Sequence, residues 1–265
     1  MTQLWAGVDI GGTKTAIVLS AKPPEVVYRR EISTLPAKGP GRVLDWIKQN
    51  IGEMLTSCGA ARMALAGIGV SCGSPLDRVA GVMQAPPNLR TWVDVPIADI
   101  LSREFACPCR LENDANAGAV AEHRFGAGKG LDHMVFLTLG TGLGAGIIAN
   151  GHLYHGAADS AGEIGHVRLS RTGPVGYHKA GSVEGWVSGG GIAQLAGRAV
   201  ADACMKGKRR CWPRPAATAS RSLRAMWRWL QRLVTRWRRV SSAPPAEGSA
   251  RRWPFWWTCS IRRKS

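Results

Sequence analysis

The stretch Leu111-Glu-Asn-Asp114-Ala-Asn-Ala-Gly118 decides how the chain is interpreted. A short apolar strand, Cys109 to Leu111, precedes Asp114, and an alanine-rich run with helical apolar spacing follows from Ala115 to Phe125. Asp114 therefore lies where a strand passes into a helix, which is where open α/β folds bind ligands. A carboxylate there can accept a proton from a substrate hydroxyl, and the amide of Asn113 can orient that hydroxyl. The alternative is that Asp114 is only the N-cap of the helix.

A glycine-rich turn follows the first apolar run. Trp5 to Ile10 and Ala16 to Leu19 are predicted strands, and Asp9-Ile-Gly-Gly-Thr-Lys-Thr15 connects them. Consecutive glycines leave backbone N–H groups uncovered for a phosphate, and an aspartate at the strand end can hold Mg²⁺ through water. The turn matches neither GxxxxGK[ST] nor GxGxxG, and a plain hairpin is the alternative. The predicted phosphate contacts are Gly11, Gly12, Thr13 and Lys14, with Asp9 near the Mg²⁺.

The segments between these stretches indicate an α/β domain, because strands and helices alternate. The predicted elements are a strand over Glu25 to Thr34, a helix over Gly41 to Ser57, a strand over Met63 to Val70 and a helix over Val95 to Phe105. Gly73 follows the second of these strands, where it either lines a cleft or only turns the chain. Asn88, in an irregular loop, suits a sugar hydroxyl or an Asx-turn equally.

A second glycine-rich turn repeats the pattern of the first. Gly140-Thr-Gly-Leu-Gly144 joins two predicted strands, His133 to Leu139 and Ala145 to Ala149. Two such turns, with an acid between them in sequence, suit a nucleotide held between two lobes.

Polar residues gather after this second turn. Glu163 and His166 are three residues apart, a spacing that directs both side chains the same way on a helical turn, although such a pair can be purely structural. Glu184 stands at the head of a helix predicted over Ser182 to Cys204.

Composition divides the chain near residue 205. Residues 206–265 hold 17 of the 35 Lys/Arg, one of the 18 Asp/Glu and seven of the 11 Trp, so 16 of the 17 net positive charges lie there. The overall charge is therefore no argument that the body binds nucleic acid. The seven cysteines form no CxxC pair, and neither an apolar run of 18 residues nor a leader pattern is visible. We expect reduced thiols, no membrane span and a cytoplasmic location.

Four motifs now stand in order: DIGGTKT (9–15), ENDANA (112–117), LGTGLGAG (139–146) and GEIGH (162–166). Together they resemble the ROK family of bacterial sugar kinases and sugar-responsive repressors over residues 4 to about 200. The resemblance implies an α/β hexokinase/actin-like (ribonuclease H-like) fold with two lobes that close on ATP and a sugar. It places an N-terminal lobe at 1–112, the start of a second lobe at 113–205 and a basic tail at 206–265, with the C-terminal part of the second lobe expected to be missing.

The resemblance also implies roles at the motif positions. Asp114 is the expected general base that takes the proton from the sugar hydroxyl during phosphoryl transfer. The expected sugar contacts are Gly73, Asn88, Asn113, Glu163, His166 and Glu184, and the second turn adds Gly140, Thr141 and Gly142 to the ATP phosphate contacts. The implied substrate is a hexose such as glucose or an N-acetylhexosamine, with ATP and Mg²⁺ as cofactors and a homodimer as a possible assembly.

Two departures from the family pattern stand out. Val175, Tyr177 and Ser182 occupy positions where many members carry the cysteines of a CxCGxxGCxE zinc signature. Because His166 alone cannot form a four-ligand site, we expect no structural zinc and a loop ordered by packing. The resemblance is expected to end at about residue 204, after which the tail has the composition of a reading-frame change. The alternative is an amphipathic basic helix over Ser222 to Val240 that contacts membrane or nucleic acid.

Three hypotheses follow. The first is an ATP-dependent sugar kinase, and the second is a non-catalytic sugar-binding or regulatory protein whose tail contacts a membrane or nucleic acid. The third is an inactive truncate with exposed apolar surface and weak thermal stability. Family repressors carry a helix-turn-helix ahead of the first strand, and that strand begins here at residue 4, so we expect no nucleic-acid binding by the body.

Overall fold

A mixed five-stranded sheet carries the first half of the chain. The computed structural model describes residues 3–35, 38–59 and 65–205. Its first elements are β1 (Leu4–Ile10), β2 (Lys14–Ser20), β3 (Tyr28–Ser33), α1 (Gly41–Ser57), β4 (Leu65–Cys72), β5 (Leu76–Asp77), β6 (Val82–Met83), α2 (Ile97–Phe105) and β7 (Cys109–Asn113). The order of the first sheet is β3-β2-β1-β4-β7. β1, β2 and β3 are antiparallel, whereas β1, β4 and β7 are parallel, so the three parallel strands end at the same edge.

Alternation along β1 explains which face of this sheet is covered. Leu4, Ala6, Val8 and Ile10 are buried in one cluster with the apolar side chains of α1 and α2. The apolar residues whose spacing predicted α1 are all buried; they are Val43, Leu44, Ile47, Ile51, Met54 and Leu55. Each such side chain contributes about 1.5–3 kcal/mol on burial. Packing therefore fixes α1, whose N-cap residue Pro40 makes no side-chain capping bond.

The second sheet is smaller. It follows α3 (Asp114–Phe125), the helix that comes directly after β7. The elements are α3 (Asp114–Phe125), β8 (Met134–Leu139), β9 (Leu143–Ala149), β10 (His152–Leu153), a 3-10 helix (Ile164–His166), β11 (Val175–Gly176), β12 (Lys179–Ala180), α4 (Val183–Val187) and α5 (Gly189–Met205). The sheet has the order β10-β9-β8 and is antiparallel, and β11 and β12 form a separate hairpin.

Two glycines on β9 bring α3 close to this sheet. A Cβ at Gly146 would lie 2.6 Å from the carbonyl oxygen of Ala115 and 2.5 Å from the Cβ of Ala119. A Cβ at Gly144 would lie 3.0 Å from the Cβ of Ala115. The second glycine motif therefore continues past its turn into a strand whose glycines serve helix packing. This contact fixes the start of α3, and with it Asp114, relative to β9.

Several predicted boundaries need correction. The single helix expected over Ser182 to Cys204 is wrong, because Ser188 has extended backbone and its Oγ accepts a hydrogen bond from the N–H of Gly191 at 3.1 Å, which starts a second helix. The third strand begins at Tyr28 instead of Glu25. The boundary expected between residues 112 and 113 stays a prediction. The proposed basic helix over 222–240 lies outside the described residues. None of the described helices is long and apolar enough to cross a membrane.

Candidate active site

Asn113 and Asp114 have different roles at the start of α3. Asn113 is the N-cap, and its Oδ1 accepts from the N–H groups of Ala115 at 2.9 Å and Asn116 at 3.2 Å. Its Nδ2 donates to the Oγ of Ser74 at 3.1 Å, next to Gly73. The alternative that Asp114 is the N-cap is therefore wrong. Asp114 is the first helical residue, and its Oδ1 accepts from the N–H of Ala115 at 2.8 Å.

The environment of Asp114 favours its protonated form. Burial is the largest cause and raises the pKa of this carboxyl. The backbone N–H groups of Ala115 and Asp114 lower the pKa, and the charges of Asp9 and Glu163 raise it, so that the net shift is upward. A helix N-terminus favours a nearby carboxylate by about 0.3–1 kcal/mol, whereas desolvating an ion costs several kcal/mol, so burial decides the direction. A carboxyl with a raised pKa in a polar cleft is the kind of group that serves as a general base.

Asp9 reaches this site from the end of β1. It pairs in register with Ser71 on β4, and the Oγ of Ser71 donates to its Oδ1 at 2.8 Å. The charge of Asp9 is one of the causes that raise the pKa of Asp114, so the two carboxylates interact electrostatically. Such a pair fits a magnesium ion, which prefers oxygen ligands. No group of three or more His, Cys, Asp or Glu that could hold a metal occurs within the described ranges, so an ion here would keep waters or take phosphate oxygens as its other ligands.

Glu163 and His166 lie on one short turn, as their spacing predicted. Glu163 precedes the 3-10 helix Ile164–His166, and its Oε2 lies 3.5 Å from the Nε2 of His166. Gly162, at φ 91°, packs so closely under β9 that a Cβ would lie 2.0 Å from the carbonyl oxygen of Ala145. This packing fixes the backbone of the turn, and the charge of Glu163 contributes to the raised pKa of Asp114.

Two polar pairs that the sequence analysis missed join this segment to the first half of the chain. The Nε2 of His155 lies 2.9 Å from the Oε2 of Glu112, whose Oε1 accepts from the side-chain amide of Asn116 at 3.0 Å. The guanidinium of Arg78 donates to Asp159 at 2.8 Å, and this bond raises the pKa of Arg78. The partners are 43 and 81 residues apart, so no local pattern could have indicated either pair.

The second glycine turn lies against Glu184. The Oε2 of Glu184 accepts from the N–H of Leu143 at 3.1 Å, and a Cβ at Gly142 would lie 2.8 Å from that same oxygen. The carbonyl of Gly140 accepts from the N–H of Gly189 at 2.8 Å. Glu184 therefore lies beside a predicted phosphate loop, and Gly165 of the 3-10 helix packs against its side chain from the other side.

Asn88 lies against the first glycine turn. A Cβ at Gly12 would lie 2.6 Å from the Cβ of Asn88 and 3.0 Å from its carbonyl oxygen, so this position has no room for a side chain. The N–H of Gly11 donates to the carbonyl of Lys14 at 3.0 Å, which closes the turn. The ammonium of Lys14 lies 3.5 Å from Glu31 in a half-exposed ion pair. Such a pair contributes only about 0–1 kcal/mol, so it is no obstacle to a phosphate contact.

Val175, Tyr177 and Ser182 stand at the cysteine positions of the family pattern. Each of them makes a contact of a different kind. The Oγ of Ser182 is fully buried and accepts from the N–H of Gly185 at 3.1 Å as the N-cap of α4. The ring of Tyr177 packs on the imidazole of His166, with centroids 4.5 Å apart. Val175 pairs with Ala180 in the β11–β12 hairpin.

Comparison with known proteins agrees with this architecture. The sequence profile of the ROK family matches residues 5–236, which is longer than the motif resemblance had indicated. The chain is 34% identical over 205 residues to a glucokinase of Halalkalibacterium halodurans, which covers 76% of this chain and 62% of that protein. It is 30% identical over 164 residues to a xylose repressor of Caldicellulosiruptor bescii, which covers 62% of this chain and 41% of that protein.

A solved structure gives the same result. The ROK family glucokinase from Streptomyces griseus in complex with glucose and AMPPNP has 31% sequence identity and a TM-score of 0.61, with 76% of this chain and 64% of that chain covered. The fold is therefore the two-lobe hexokinase/actin-like α/β fold. The chain belongs to the ROK family. It spans about three fifths of the length of the glucokinase it matches.

Proposed function

We propose that this protein is an ATP-dependent hexose kinase in which Asp114 is the general base. The observation that carries the proposal is the setting of Asp114. It is a carboxyl at the first residue of α3, with its pKa raised by burial and by the charges of Asp9 and Glu163. The glucokinases among its relatives support hexose phosphorylation as the reaction.

Asp114 would accept the proton of the attacking sugar hydroxyl. The hydroxyl oxygen then forms a bond to the γ-phosphorus as the bond from that phosphorus to the ADP oxygen breaks. Phosphoryl transfer asks mainly for alignment and charge neutralisation, so the protein's part is to hold the hydroxyl and the phosphate in line. Because its Oδ1 accepts from the N–H of Ala115 at 2.8 Å, the Asp114 carboxylate has a defined direction before substrate arrives.

The polar residues around Asp114 would bind the sugar. Glu163 and His166, which lie 3.5 Å apart on one turn, would contact the sugar together, and Asn113 has a second Nδ2 proton to donate beyond its bond to Ser74. Glu184, Gly73 and Asn88 complete the proposed set. Carboxylates and amides on one wall suit a ligand with several hydroxyls.

The two glycine turns would hold the phosphates of ATP. The first supplies Gly11, Gly12, Thr13 and Lys14, and the second supplies Gly140, Thr141 and Gly142. Bound Mg²⁺ would neutralise phosphate charge. The carboxylate of Asp9, which the Oγ of Ser71 orients, would accept hydrogen bonds from the water ligands of this ion.

A sugar-responsive regulator without catalysis is the second candidate. The similarity to a xylose repressor favours it, since the same family contains proteins named for repression. The two candidates share a sugar site and differ in turnover.

One experiment separates them. The purified full chain is titrated with glucose and N-acetylglucosamine by isothermal calorimetry, and ADP release is then followed in a coupled assay with ATP and MgCl₂. Sugar-dependent ADP release supports the kinase. Sugar binding without ADP release supports the regulator, and the absence of both sugar binding and turnover contradicts both candidates.

A further inference from the structure

The hairpin beside His166 has an unusual turn. β11 and β12 pair through Gly176 and Lys179, which leaves Tyr177 and His178 as a two-residue loop. Both have positive φ, 44° and 61°. Positive φ at both central residues is the geometry of a type I′ turn, which strongly prefers Asn-Gly and disfavours large side chains. Tyrosine and histidine therefore occupy these positions against the preference of the turn.

The side chain of Tyr177 makes a specific contact from this turn. Its ring lies 4.5 Å from the His166 imidazole, centroid to centroid, at an interplanar angle of 51°. The same hairpin holds the backbone of His166, because the ammonium of Lys179 donates to its carbonyl oxygen at 2.7 Å. Tyr177 is 53% exposed, so burial in a core does not explain its position.

The imidazole of His166 also lies 3.5 Å from the carboxylate of Glu163. It therefore contacts both an aromatic ring and a carboxylate, and loss of the ring would leave it freer to rotate. Free rotation would cost the site one oriented hydrogen bond to a ligand.

We propose that Tyr177 is a positioning residue that fixes the imidazole of His166 toward the sugar site through ring packing. The inference rests on the proposed function for the identity of the ligand. The contact between the two rings and its effect on His166 do not depend on it.

The test compares two variants with the wild-type chain. The double variant Tyr177→Asn/His178→Gly gives the turn the residues it prefers and removes the ring, whereas Tyr177→Phe keeps the ring. Loss of one oriented hydrogen bond should raise the Kd for glucose about tenfold in the double variant. Its melting temperature should not fall, because the new turn is the more favourable one. Tyr177→Phe should bind within about twofold of wild type, a difference well below the value of one hydrogen bond.

A second measurement reads the position of His166 without sugar. In ¹³C,¹⁵N-labelled chain, with His166 assigned through His166→Gln, the χ1-dependent coupling constants of His166 should change in the double variant and stay the same in Tyr177→Phe. These couplings report rotation of the side chain, whereas loss of the Tyr177 ring current by itself changes only chemical shifts. Unchanged couplings or an unchanged glucose Kd in the double variant would overturn the inference, as would loss of binding in Tyr177→Phe. If no form binds sugar, the proposed function fails, and the His166 couplings alone decide the role of Tyr177.

Discussion

Replacing Asp114 by Asn should lower turnover about 10²–10⁴-fold and raise stability at the same time. The substitution keeps the shape of the side chain and the acceptor for the N–H of Ala115, which lies 2.8 Å from Oδ1. It removes the charge that burial disfavours and that Asp9 and Glu163 repel. It also removes the group that would accept the sugar proton.

The expected loss of turnover follows from the role of a general base. Such a group contributes about 10²–10⁴-fold to the rate, which corresponds to about 2.7–5.4 kcal/mol of transition-state stabilisation. The Kd for sugar should change much less, because Asn113, Glu163 and His166 remain.

The stability change has a definite sign. The pKa of Asp114 is raised in the folded state, so the group favours folding when protonated, and that contribution is lost as pH rises through the folded pKa. The ionised form therefore costs stability at pH 7, and the amide removes this cost. Removing one unfavourable buried charge raises the free energy of unfolding by about 0.5–2 kcal/mol. Each kcal/mol raises the melting temperature of a chain of this size by about 2–4 °C.

The assay pairs turnover with calorimetry for wild type, Asp114→Asn and Asp45→Asn. Asp45 is the control because its side chain is 77% exposed on α1. The gain in melting temperature of Asp114→Asn should be largest at a pH above the raised pKa of Asp114 and shrink as pH falls through that pKa, because the wild-type carboxyl is then protonated. Turnover within tenfold of wild type would refute the general base. A lower melting temperature at pH 7 would refute the electrostatic reasoning.

Substitutions at glycines and the reactivity of thiols check the rest of the site. Gly146→Ala forces a Cβ against the backbone of α3 and should cost about 1–3 kcal/mol, seen as a fall in melting temperature; an unchanged value would contradict the packing. In Gly142→Ala the new Cβ contacts only the flexible end of the Glu184 side chain, so the melting temperature should stay unchanged while the Kd for sugar rises. Unaltered sugar binding would contradict the assignment of Glu184 to the sugar site. Burial raises the pKa of Cys72 and Cys109 to about 12, so both should resist iodoacetamide at pH 8 until urea is added, as peptide mapping would show; rapid labelling of the native chain would contradict their burial.

Local patterns predicted the elements better than they predicted the contacts between them. The apolar spacing of Gly41–Ser57 gave α1 with its bounds and its buried face, because a helix repeats its core positions within a few residues. The break at Ser188 had a readable signal, a serine directly before three glycines, which is typical of a helix cap. The pattern of apolar residues continued across it, and the interpretation followed that pattern.

The site itself is assembled from segments far apart in the chain. Motif resemblance named Asp9, Asp114 and Glu163 separately, and only the folded chain brings their charges together. The pairs that join the Glu163 segment to the first half of the chain, through His155 and Arg78, have no local signature at all. Long-range electrostatics of this kind depends on strand order and on the path of the loops, which composition and spacing do not determine.

The glycines of the second motif show how one pattern combines different physical demands. Gly144 and Gly146 are required by the close approach of α3, and Gly142 makes room for the carboxylate of Glu184. Gly140 and Thr141 accept hydrogen bonds from the first N–H groups of α5 through their carbonyls. Those helix N–H groups are therefore already used within the protein. A phosphate at this turn would have to be met by the N–H groups of the turn and by the hydroxyl of Thr141, which is exposed, and not by the N-terminus of α5.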